Sequence, residues 1–150
     1  MSYRWSTPTW HFFHSFAAKV HEDFYQTHTR EIFGIITKIC QCLPCPDCQR
    51  HANRFFKNIN HSQYPSKESF RRLLLDFHNA VNKTTRKASL LRSSINKYDF
   101  SNFFVITNQF LRVFGSYKTR MGGGFSDSLR REKVIKEIRG WINTHHKNFL

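Results

Sequence analysis

"CQCLPCPDCQRH", residues 40–51, holds all four cysteines of a 150-residue chain. Whether this stretch turns between two helices or opens the helix of a βαβ unit decides the fold. Its prolines, Pro44 and Pro46, cannot continue a helix interior but suit the first turn of a new one. Before it, Ile32, Ile35, Ile36 and Ile39 recur at helical spacing, predicting a helix over roughly 28–42. After it, the pattern predicts another helix from about Cys45 to Lys57. No strand alternation flanks the stretch, which argues against the βαβ setting of a thioredoxin-like C-x-x-C.

The remainder of the chain extends the helical pattern. Thr7 or Thr9 caps a first helix carrying Trp10, Phe13, His14, Ala17 and Val20 or His21. Past a polar loop, Ser66 or Ser69 caps a fourth helix with Phe70, Leu73, Leu74, Phe77 and Val81 on one stripe. A fifth helix fits about 99–117. Gly122, Gly123 and Gly124 act as a breaker, and Ser126 or Asp127 opens a charged helix running to about His145. The expected fold is all-α: an antiparallel bundle of about four helices with a fifth helix and an extra C-terminal helix.

Composition bounds the function. The length suits one domain with a real core, and 16 phenylalanines mark that core, or a pocket in it, as unusually aromatic. The net charge of +14 is uneven: residues 1–50 carry 5 Lys+Arg against 4 Asp+Glu, residues 51–100 carry 10 against 3, and residues 101–150 carry 9 against 3. A basic second half suits an acidic partner, a phosphorylated ligand or nucleic acid. It also fits a merely solvated surface. The N-terminus lacks the apolar core of a signal peptide, and no apolar run approaches membrane-spanning length. The expectation is a soluble, cytoplasmic protein, in whose reducing surroundings clustered cysteines are catalytic or metal-binding more often than structural.

Structural zinc sites pair two short cysteine hooks across a longer loop, whereas here all four thiols share one stiff segment. A ferredoxin-type loop starting at Cys42, Cys45 and Cys48 needs a ligand at 52, which is Ala52. No metal is therefore expected. The remaining reading is a redox pair, Cys45-Pro-Asp-Cys48. A helix start places its sulfurs close enough to bond, near free backbone N–H groups and the positive end of the helix dipole, both of which favour a thiolate. Trp10 and His14 share a helix face at i and i+4, and His78 and Asn82 repeat that arrangement before Lys83, Arg86 and Lys87. Aromatics and imidazoles beside a redox pair suit a flat heteroaromatic cofactor, and the trailing cations suit its phosphates. Taken singly, each of these residues also reads as core packing or a solvated helix end.

Together, "WHFFH" at 10–14, "LPCPDCQRH" at 43–51 and "HNAVNKTTRK" at 78–87 resemble the Erv/ALR family of flavin-linked sulfhydryl oxidases, most closely the minimal members of large DNA viruses. The order and separations match the family pattern, and the resemblance covers about residues 3–115. "RWSTPTW" is similar to the family lead-in, with Ser6 in place of a glycine. The resemblance implies a four-helix bundle with a short fifth helix that binds FAD, usually as a homodimer. It divides the chain into an oxidase domain, residues 1–120, and a basic helical extension, residues 121–150. Carried over, Trp10 and His14 contact the flavin nucleotide, His78, Val81 and Asn82 line it, and Lys87 lies near the adenine nucleotide or its phosphates. Cys48 lies against the flavin ring, Cys45 faces the substrate, and His51 is a further pocket residue. The implied activity is oxidation of dithiol proteins through a Cys45–Cys48 disulfide, with electrons passing by FAD to dioxygen and yielding hydrogen peroxide. The competing expectation is a basic helical module that binds nucleic acid. The family's distant second cysteine pair is missing. Cys40 and Cys42, just upstream of the redox pair, read either as a resident shuttle or as two buried thiols, since i and i+2 face apart on a helix.

Overall fold

The computed structural model describes residues 4–116 and 124–150. Six α-helices follow in order: α1 (Ser6–Lys19), α2 (Glu22–Gln41), α3 (Pro46–Phe56), α4 (Lys67–Thr84), α5 (Phe103–Ser116) and α6 (Gly124–His145). Short 3-10 helices occupy His61–Gln63, Arg92–Phe100 and His146–Phe149, and no strand occurs among the described residues. The fold is all-α, with the fifth helix and the extra C-terminal helix that the sequence pattern predicts.

The helix starts show where local chemistry overrode the expected boundaries. α1 begins before Thr7, so neither Thr7 nor Thr9 is its cap. Thr9 lies inside the helix and donates its hydroxyl to the Trp5 carbonyl at 2.6 Å. Pro8 permits the early start, because it sits in the first turn, where a missing N–H leaves no helical bond unmade. α2 starts at Glu22 rather than near 28, and Glu22 and Asp23 complement its N-terminal dipole. His28 breaks the helix with φ −124° and ψ 20°, so its two limbs are out of phase and only the second shows the isoleucine stripe. α4 uses both candidate serines in a reciprocal capping box, Ser66 and Ser69 each satisfying the other's backbone N–H. α5 starts at Phe103 rather than 99, because Asp99 and Phe100 belong to the 3-10 helix and Asn102 accepts from the Phe104 and Val105 amides. Of the glycine breaker, Gly122 and Gly123 lie outside the described residues, and Gly124 is the first residue of α6.

α1 is the central element, packed against α4 and α5, while α3 packs against α2 and α4, and α6 against α5 and α2. Phenylalanines supply much of the interior. Phe12 stacks on Phe110 at 4.5 Å, and Phe103 stacks on Phe149 at 4.4 Å. Phe149 thus ties the end of the chain to the same core as α1, together with Ile135, Ile138 and Ile142 of α6. A Cβ at Gly115 would meet Ile135 Cδ1 at 2.7 Å, so the missing side chain is what lets α6 lie close against α5. The chain end is also clasped to the α1–α2 turn, where the His21 amide donates to the Asn148 carbonyl at 2.8 Å. No described helix is long and apolar enough to cross a membrane.

Candidate active site

The turn from α2 into α3 has two fewer backbone donors than its length would supply, and it opens with the Cys42 amide donating to the Ile39 carbonyl at 3.1 Å. Pro44 and Pro46 have no N–H, so the rest of the segment is held through its carbonyls and one sulfur. Gln49 Nε2 donates to the Leu43 carbonyl at 2.6 Å, and Gln49 N donates to the Cys45 carbonyl at 3.0 Å. Arg131 of α6 donates to the Cys42 carbonyl at 3.2 Å. Cys45 is the N-cap of α3, its Sγ accepting from Cys48 N at 3.2 Å. Cys45 and Cys48 form a disulfide with their Cα atoms 5.2 Å apart, inside the usual span for such a bond. Both are partly exposed.

Beside this disulfide lies a cavity of about 600 Å³, walled by α1, the α2–α3 turn, α4 and the 3-10 helix at Arg92–Phe100. Trp10, His14, Cys45, Cys48, His51, His78, Val81, Asn82 and Lys87 line it, whereas Lys83 and Arg86, the other cations that follow Asn82, do not. Trp10 lies flat on His78, with ring centroids 3.9 Å apart and planes at 3°. His14 Nε2 meets His78 Nδ1 at 2.8 Å. Facing ring nitrogens at that distance share one proton, so at least one of the two rings is neutral. Burial, aided by the facing His78, pushes His14 down to about 3. Burial together with Lys87 and His11 pushes His78 down to about 4.

Asn82 is buried and acts on the backbone. Its side-chain amide donates to the Ala88 carbonyl at 3.1 Å, while its own carbonyl accepts from Lys87 N at 2.7 Å and Arg86 N donates to the Lys83 carbonyl at 3.3 Å. These last two bonds make a Schellman closure of α4, which aims Lys87 at the cavity mouth. Arg86 takes the left-handed position of that closure, with φ 59°. His51 reaches α4 instead, its Nε2 lying 3.0 Å from Thr84 Oγ1.

Sequence reasoning missed one wall. Leu90, Ile95, Lys97 and Tyr98 also line the cavity, and Tyr98 stacks against His14 at 5.3 Å. Ile95, Lys97 and Tyr98 belong to a 3-10 helix, which carries no 3.6-residue stripe, and Leu90 to the loop before it, so periodicity had nothing to detect. Asn79 fastens this segment to α4 by donating to the Leu90 carbonyl and accepting from the Leu90 amide.

Cys40 and Cys42 are free and buried in the core. Cys40 also lines the cavity, whereas Cys42 donates its thiol to the Lys38 carbonyl at 3.3 Å. Burial raises both thiols, Cys42 to about 11.

A helical bundle that sets a C-x-x-C disulfide against an aromatic, imidazole-lined cavity has the parts of a thiol-handling protein. The comparisons agree with that class. A model of the Erv1 / Alr family matches residues 7–102, and the chain belongs to this family. The chain is also similar to the FAD-linked sulfhydryl oxidase ERV1 of Arabidopsis thaliana, with 29% identity over 79 residues. That match covers 53% of this chain and 41% of the relative, so the chain spans well under half of that protein's length. No solved structure matches the chain.

Proposed function

We propose that this protein is an FAD-dependent thiol oxidase that forms disulfide bonds in dithiol proteins. The observation that carries this reading is the Cys45–Cys48 disulfide lining one cavity with the Trp10–His78 stack. The cavity fits the cofactor in kind. Its volume lies in the range of ligand pockets, its walls are aromatic and apolar, and Lys87 and Lys97 supply cations for phosphates. Neutral His14 and His78 present imidazole faces and add no charge to a flat ring beside them. When bound, FAD accepts the two electrons and delivers them to dioxygen, giving hydrogen peroxide.

The chain's own chemistry is disulfide exchange. A substrate thiolate attacks Cys45 Sγ, forming a mixed disulfide and releasing Cys48 as a thiolate. A second substrate thiolate then attacks the substrate sulfur of that mixed bond, and Cys45 leaves as a thiolate. Two electrons have passed to the Cys45–Cys48 pair, and the substrate departs oxidised. The Cys48 amide pointing at Cys45 Sγ, at the N-terminus of α3, stabilises the departing thiolate. Re-forming the disulfide delivers the electron pair to the cofactor. Assembly as a homodimer and kinship with the minimal viral enzymes belong to the same proposal and are supported by the resemblance in motif and size.

Purified protein is expected to be yellow and to consume oxygen when given a dithiol. Cys48→Ser should keep the flavin and lose turnover. A protein that cannot be reconstituted with FAD rules the reading out, and turnover surviving in Cys48→Ser rules out the Cys45–Cys48 disulfide as its route. Light scattering in solution tests the dimer.

A further inference from the structure

The two segments that frame the redox pair lack acidic residues. Residues 48–67 contain Arg50, Arg54, Lys57 and Lys67, and residues 77–98 contain Lys83, Arg86, Lys87, Arg92 and Lys97, with no Asp or Glu in either. An ordinary solvated surface intersperses both signs. The fold joins the segments into one face: His51 bonds Thr84, and Phe55 and Phe56 both pack on Phe77, at 5.0 and 4.9 Å.

The cations divide by position. Lys87 and Lys97 line the cavity. Arg50, Arg54, Lys57, Lys83 and Arg86 are exposed and lie outside its lining. Arg50, Arg54 and Lys57 follow one another at spacings of four and three along one side of α3, and Arg50 stands about 8 Å of helix rise from Cys45. Asp47 pairs with Arg50, while Arg54, Lys57, Lys83 and Arg86 have no ion pair among the described residues. Arg86 also occupies a backbone position that glycine would hold with less strain. A strained position held by a charged side chain points to a use for that side chain.

We propose that this α3–α4 face docks protein substrates whose reactive cysteines stand beside acidic residues, and so selects which thiols reach Cys45. The role given to Cys45 rests on the thiol-oxidase reading. Nearby carboxylates raise a cysteine's pKa and deplete its thiolate. A cationic face attracts those carboxylates and favours the thiolate at the moment of docking. The cations stand on α3, which carries Cys48, and on α4, bonded to it through His51 and Thr84, so an occupant that also exchanges with Cys45 must bring a thiol, which a peptide has and a nucleic acid lacks.

The test needs no flavin. In Cys48→Ser, Cys45 is loaded with thionitrobenzoate as a mixed disulfide. Single-cysteine peptides with acidic or basic flanks then attack Cys45 Sγ, each forming a peptide–Cys45 disulfide and releasing one thionitrobenzoate thiolate, which is followed by its absorbance. At about 0.01 M salt the acidic peptide should react about tenfold faster than the basic one. At about 1 M salt, where the Debye length falls to about 3 Å, that difference should vanish. Adding Arg50→Glu with Arg54→Glu should invert the preference. Arg86→Gly should slow the acidic peptide about threefold while leaving the fold at least as stable, and it decides the matter alone if the double substitution does not fold. Equal rates for the two peptides, or an acidic preference that survives these substitutions, overturn the proposal. So does tight binding of a short RNA duplex without any peptide preference, which makes the face one for nucleic acid. A wild-type protein that takes up no FAD defeats the oxidase reading instead and leaves this rate comparison intact.

Discussion

His14 and His78 meet nitrogen to nitrogen in the cavity wall, and their contact fixes how the protein responds to acid. Both are held below the ordinary histidine value of 6.5, His14 at about 3 and His78 at about 4, with burial the first cause in each. The unfolded chain therefore binds more protons than the folded one between those values and 6.5. Their stabilising contribution is complete above pH 6.5 and drains away as pH falls toward 4. For the buried His14 the slope is at most about 1.4 kcal/mol per pH unit. Urea midpoints measured from pH 7 downward should fall, and His14→Asn should fall less steeply than wild type. A midpoint flat over that range would contradict the arrangement. Cys40 and Cys42 give a second prediction. Buried, with both thiols raised, they should resist iodoacetamide in the native protein and react once it is unfolded. Rapid native labelling of either would restore the shuttle reading. At this scale the sequence was informative about which residues share a cavity, because i,i+4 spacing puts Trp10 beside His14 and His78 beside Asn82. It said nothing of the hydrogen bond between His14 and His78, which lie 64 residues apart.

Among the elements, α6 contributes most unexpectedly to the turn that carries the Cys45–Cys48 disulfide. Arg131 is 1% exposed, and its guanidinium holds the Cys42 carbonyl three residues before Cys45. Arg131→Met leaves that carbonyl buried without this donor and should destabilise by about 1–3 kcal/mol. The check is a lower urea midpoint with an unchanged slope. In the sequence, Arg131 sits in "SLRREKVIKEIRG", a charged amphipathic stretch whose cations suit phosphate contacts in the nucleic-acid reading, and no local pattern separates it from Arg130. The caps divide in the same way. The Ser66–Ser69 box is legible because both partners lie within one turn, and Ser66→Ala should cost about 1 kcal/mol in thermal or urea unfolding. The break at His28 was not legible, because a helix with two limbs out of phase shows periodicity only within each limb.

Across the whole molecule, the last residues close the bundle. Phe149 is 1% exposed, stacked on Phe103 and edge-on to Phe16. Phe149→Ala should cost about 3 kcal/mol or more, measurable as a large drop in Tm. An unchanged Tm would mean that the chain end does not close this core. The stretch from Cys40 to His51, with two proline-broken helices around a C-x-x-C, determined by itself that one helix ends and another begins there, and it offered a redox pair as one reading of its cysteines. Both follow from spacing within a few turns, where covalent geometry links residue to position. Only the tertiary structure decided that Tyr98 and Lys97 complete the cavity wall, that Cys42 is anchored from α6, and that α3 and α4 meet through His51 and Thr84. Each of these joins residues from separate helices, and such contacts depend on packing, which no local period encodes.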